Sequence, residues 1–177
     1  REYSVPMSDT WGNGDLRKPI VLERDLARDE NTVWMSPGIL TALDAAGVFN
    51  IGSPAEYGGD ELSVRQQLDV IIEVSKWDGS AGWTTWVAAS TNWLPAGCGP
   101  KIIEEVYAPK WVGPRVAGSS HFPASKGKAR RADGGWIISG GPWTFGSDSL
   151  WAPYTNLGCI VDEGESKFLL GVQVSRE

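Results

Sequence analysis

Apolar positions follow two different rhythms along this chain, and the change comes near residue 110. In the first part they recur three and four apart. Leu22 and Leu26, then Val33 with Trp34, keep that spacing through "IVLERDLARDENTVW", which reads as a helix. "SPGILTALDAAG" follows, with Ser36 as N-cap, Pro37 at the first helical position and Gly47 as the C-terminal stop. Pro54 and the pair Gly58-Gly59 then mark a loop of tight turns, with Asp60 and Glu61 on its solvated side. Ser63 and Gln66 form a capping box for the next helix, whose apolar face is assigned to Leu68, Ile71, Ile72 and Val74. Asp78-Gly79 ends that helix, and Ser80 is expected to cap the next, "SAGWTTWVAASTNW". Its alanines and small polar residues predict either close helix approach or a ligand wall. "PKIIEEVY" makes a short last helix from Pro100 to Tyr107.

After residue 110 the period falls to two. "GKARRADGGWIIS" reads as a strand, a turn at Asp133-Gly134-Gly135, and a second strand. "YTNLGCIV" and "KFLLGVQV" read as two more strands around a polar turn at Gly164. Helices followed by strands predict an α+β fold, with a helical domain over residues 1–110 and an antiparallel, barrel-like or sandwich β domain over 111–177.

Composition narrows the partners. The net charge is −6, which disfavours nucleic acid and anionic membranes. No apolar run approaches the roughly 18 residues of a membrane span, and no secretory signal is visible. Cys98 and Cys159 lie outside any C-x-x-C pair and His121 is the sole histidine, so a Cys/His zinc site is not expected. Two unpaired cysteines suit a reducing cytoplasm. Ten tryptophans stand out. Each needs a partner for its ring N–H, so they read either as an awkward core or as a surface against which something flat lies. The stretch "GGWIISGGPWTFGSDSLWA" concentrates that question, with Trp151 undecided between core and pocket.

Phosphate-loop, dinucleotide and G-x-S-x-G patterns are missing, and no carboxylates pair by spacing. His121 reads as a loop histidine in contact with solvent or as a ligand-facing group beside Ser119 and Ser120. From the residues alone the reading stops at an α+β protein with a tryptophan-rich surface.

The order of segments goes further. "LTALDAAGVFNIGSPAEYGGDEL", "IIEVSKWDGSAGW" and "VAGSSHFPASKGKARRADGGWIISGGPWTFGSDSLWA" resemble, in sequence, the early helix and loop, the next helix pair and the start of the β domain of the acyl-CoA dehydrogenase superfamily. The "W-x-F-x-S" form at Trp143–Ser147 and the missing Thr-Glu-Pro loop resemble its flavin-dependent monooxygenase branch.

That resemblance implies an oxygenase component. It would use reduced FMN or FAD, delivered by a separate flavin reductase, and O2 to hydroxylate a small aromatic or amine substrate. It implies that Trp143, Thr144 and Phe145 lie along the flavin ring, that Ser147 contacts its reactive edge as the catalytic hydroxyl, and that Ser119 and Ser120 touch flavin or substrate. Asn92 falls near a substrate-contacting histidine of aromatic hydroxylases, and His121 is the second substrate-side candidate. No metal is implied. The resemblance also implies a homotetramer and a C-terminal helical bundle, which residues 1–177 do not include. Two departures stand out: "SGGPW" is one residue longer than the usual hairpin, and Asp148 replaces a glycine. The alternatives are an acyl-CoA dehydrogenase or a truncated, non-catalytic binding module.

Overall fold

The computed structural model describes residues 35–118, 126–141, 143, 146–164 and 166–175. The helix expected from Leu22 to Trp34 lies outside the described residues. The chain divides into two compact units, residues 1–115 and 116–177.

The first unit is helical. Helix α1 (Pro37–Ala45) starts where Ser36 caps the Ile39 amide and Pro37 occupies the first turn. It stops where Gly47 turns left-handed at φ 77°. Helix α2 (Val64–Trp77) carries the capping box in full: Ser63 Oγ accepts from the Gln66 amide, and Gln66 Oε1 accepts from the Ser63 amide. Helix α3 (Gly79–Thr91) follows after a single residue. The cap differs from the one expected. Asp78, extended at φ −151°, accepts from the Ala81 amide, and Ser80 lies inside the helix. One residue between the two helices ends the first, through its amide on the Val74 carbonyl, and starts the second through its carboxylate, so no room is left for a later cap. Helix α4 (Pro100–Tyr107) has the expected bounds.

The buried face of α2 also differs. Val70 and Val74 point inward, one turn apart, whereas Leu68 and Ile72 are exposed. The core is built from Leu43, Val48, Phe49 and Ile51, from those two valines, and from Ala81, Val87, Ala88 and Ala89 of α3. Tryptophan does not fill it. Among the described residues every tryptophan is half-buried or exposed. The small residues of α3 serve close helix approach. A Cβ on Gly82 would sit 2.0 Å from Ser75 Oγ and 2.9 Å from the Ser75 Cα on α2.

Among the described residues the second unit is one five-stranded sheet. Strands β2 (Gly127–Ala132) and β3 (Gly135–Gly140) form an antiparallel hairpin, as do β4 (Tyr154–Asp162) and β5 (Lys167–Ser175). The pairing between the hairpins is not antiparallel: β2 runs parallel to β4 over Cys159–Val161, and the short β1 (Val116–Ala117) runs parallel to it at Tyr154–Thr155. Tyr154 thus has a partner on each side, so β5 holds one edge of β4 while β1 and β2 share the other. Ala129, Cys159 and Val161 are buried on one face under Trp136, Ile138, Trp143, Leu170 and Val172.

Candidate functional site

The residues expected to matter fall in both units, and each unit has its own geometry. In the second, β3 ends in two consecutive left-handed glycines, Gly140 at φ 88° and Gly141 at φ 100°. L side chains rarely adopt such backbone, so this longer hairpin end depends on glycine. The Gly141 amide donates to the Lys126 carbonyl just before β2. Trp143 then lies back over the start of β2, and its indole N–H donates to the Gly158 carbonyl at 2.9 Å. A Cβ on Gly127 would fall 2.6 Å from Trp143 Cζ2, and one on Gly141 2.9 Å from Cε3. The ring is half-buried and held at both ends, one edge by a hydrogen bond and the rest by bare backbone.

Ser147 follows in a turn. Its carbonyl accepts from the Gly118 amide at 3.0 Å, which ties the turn to the end of β1. Asp148 takes φ 66° and its carbonyl accepts from the Trp151 and Ala152 amides. That is left-handed backbone, which glycine adopts without strain and aspartate tolerates better than most residues. Trp143 and Ser147 are therefore both tied by hydrogen bonds to the second unit, at Gly158 and at Gly118. Trp151 is half-buried beside the fully buried Ala152. Ser119, Ser120, His121, Thr144 and Phe145 lie outside the described residues.

An aromatic stack closes the far end of the same hairpin. Arg131 lies 4.6 Å from the Trp136 ring centre and pairs with Glu163 at 2.7 Å. Trp136 in turn meets Phe168 edge-on at 6.5 Å. Trp136 is packing, as is usual for a half-exposed strand residue, and Arg131 covers it.

Asn92 sits in the helical unit, and its amide is engaged inside that unit. It is buried, Nδ2 donates to the Phe49 carbonyl at 2.7 Å, and Oδ1 accepts from the Arg115 amide at 3.2 Å. Its carbonyl accepts the Tyr107 hydroxyl. Arg115 donates to the Val106 and Pro109 carbonyls at the end of α4. Burial pulls its guanidinium below the usual value, and Asp44 partly offsets that. Burial pushes the Tyr107 phenol up to about 12. Glu61 does more than face solvent, because its carboxylate accepts from the Ala55 amide at 3.1 Å.

Sequence reasoning missed the glycines under Trp143. The one signal was the extra residue in "SGGPW". Among the described residues no group of acidic, cysteine and histidine side chains forms a metal site. None of the described helices is long and apolar enough to cross a membrane.

No protein-family model matches the sequence. The indole-3-acetate monooxygenase of Acinetobacter baumannii is 32% identical over 133 residues, which are 73% of this chain and 32% of that protein. A pigment production hydroxylase of a Rhodococcus species is 29% identical over 161 residues, 90% of this chain and 40% of that protein. The chain thus spans well under half the length of these relatives. The HsaA monooxygenase of Mycobacterium tuberculosis, in its crystal structure, matches 78% of this chain and 37% of its own, at 25% identity and a TM-score of 0.68. This is the acyl-CoA dehydrogenase-like fold of the flavin-dependent monooxygenases. In that acyl-CoA dehydrogenase-like frame, α1 to α4 form the helical region and β1 to β5 belong to the β region, consistent with the α+β class read from the sequence.

Proposed function

We propose that the chain is the helical and middle β portion of the oxygenase component of a flavin-dependent monooxygenase. The complete protein would use reduced FMN or FAD and O2 to hydroxylate a small aromatic or amine substrate. A separate flavin reductase would supply the reduced flavin, and the assembly would be a homo-oligomer in the cytoplasm. The single observation that supports this reading most is the structural match to HsaA, whose name gives it as the oxygenase subunit of a flavin-dependent monooxygenase.

The described residues fit a flat ring. Trp143 offers a rigid plane rather than a rotating side chain, because its N–H is bonded and glycines lie against the ring. Ser147 stands four residues on, in a turn anchored by its own carbonyl. A bound reduced flavin would supply the activation of O2. The chain's part is to hold the ring, orient it and exclude water. In this reading Trp143, with Thr144 and Phe145, forms the wall. The Ser147 hydroxyl would hold the ring edge by donating a hydrogen bond, and Ser119 and Ser120 would be the further groups for the flavin or the substrate. His121 is kept as a substrate-side group. Asn92 we reassign to holding the helical unit together, since its amide already serves Phe49 and Arg115.

Titration with FMN or FAD tests the reading. Quenching of tryptophan fluorescence with a micromolar midpoint is expected, and the Trp143→Leu variant should lose most of it. Absence of quenching up to millimolar flavin would remove flavin binding from this portion of the protein.

A further inference from the structure

Gly127 is the first residue of β2 and pairs with Gly140 on β3 and Cys159 on β4. It is buried, and a side chain there would meet a ring as closely as it meets the strand next to it. A Cβ would meet Trp143 Cζ2 at 2.6 Å and Nε1 at 2.7 Å, with the Gly158 carbonyl oxygen also at 2.7 Å. Those are the ring edge that donates to Gly158 and the oxygen that accepts from it. Any side chain at 127 would therefore enter the space between indole and strand and break the bond that fixes the ring plane. Gly127's own backbone conformation is not left-handed, so ordinary sheet geometry does not demand glycine.

From this geometry we infer that Gly127 is a positioning residue: its lack of a side chain sets the plane of Trp143, and through that ring the wall offered to the flavin. Gly141 supports the opposite edge, where a Cβ would lie 2.9 Å from Cε3. The part concerning flavin rests on the proposed function, whereas the part concerning the ring does not.

The test uses this chain labelled with 5-fluorotryptophan, where Trp143 is the fluorine resonance lost in Trp143→Phe. Gly127→Ala should shift that resonance, leave Trp136 in place and weaken flavin quenching about tenfold. Gly135→Ala is the control, since a Cβ there meets nothing within 4 Å and the residue lies on the same hairpin. It should change neither signal. An unmoved Trp143 resonance in Gly127→Ala, or an equal shift in Gly135→Ala, overturns the inference.

If Gly127→Ala fails to fold, Gly127→Ala/Trp143→Val decides. Recovery of folding identifies the ring as the obstacle, and continued failure assigns it to the Gly158 carbonyl and overturns the inference. Loss of flavin quenching in the parent chain, with the Gly127→Ala shift intact, overturns the proposed function and leaves the positioning role standing.

Discussion

Removing the amide of Asn92 should cost the helical unit several kilocalories while leaving its surface unchanged. Asn92→Ala strands two groups: the carbonyl of the fully buried Phe49 and the amide of Arg115. Each buried polar group left without a partner costs about 1–3 kcal/mol, so the pair gives a loss of about 2–6 kcal/mol. With a urea slope of about 2 kcal/mol per molar, the unfolding midpoint should fall by about 1–3 M, followed by far-ultraviolet circular dichroism. Asn92→Asp keeps the acceptor for Arg115 but turns a carboxylate oxygen toward the Phe49 carbonyl, and should be at least as damaging at neutral pH. Ser90→Ala, on the exposed side of the same helix, should stay within about 0.5 kcal/mol. A loss below about 1 kcal/mol for Asn92→Ala would refute the reasoning, because water would then be satisfying both groups.

Alkaline stability should track Tyr107. Its folded value is raised to about 12, chiefly by burial, above the usual 10.0, so its contribution is complete below pH 10 and is lost between pH 10 and 12. Tyr107→Phe should flatten that part of the curve in pH-dependent urea melts. Gly82→Ala would normally strengthen a helix, yet the clash with Ser75 should make it destabilising by about 1–3 kcal/mol in the same melts. Ellman's reagent should label Cys98 quickly and Cys159 only after denaturation, because Cys98 is exposed while burial pushes the Cys159 thiol up.

What the sequence made legible was local. Capping chemistry at Ser36 and Ser63 acts within one turn, and the strand rhythm of "KFLLGVQV" needs no distant partner, so both could be read directly. Asp78 and Ser80 are both competent caps two residues apart. The choice between them depended on how tightly α2 abuts α3. Parallel pairing of β2 with β4 joins segments some thirty positions apart, and nothing in either strand's alternation encodes direction. The candidate site was legible only in outline. Trp143 was singled out as a flat wall, but its plane depends on the missing side chain of a residue sixteen positions earlier. A glycine there carries no periodic signal. The order of motifs points Asn92 toward a substrate. Its hydrogen bonds to residues 43 and 23 positions away were invisible to that comparison.

The shared edge of β4 works as a ruler. β1 takes Tyr154 and Thr155, β2 takes Cys159 to Val161, and the interval 156–158 sets how far apart the two strands land. Deleting one residue in that interval would move β2 by one position relative to β1 and turn its side chains to the other face. Length in that three-residue span is therefore less negotiable than composition. Substitutions there should be tolerated far better than any insertion or deletion.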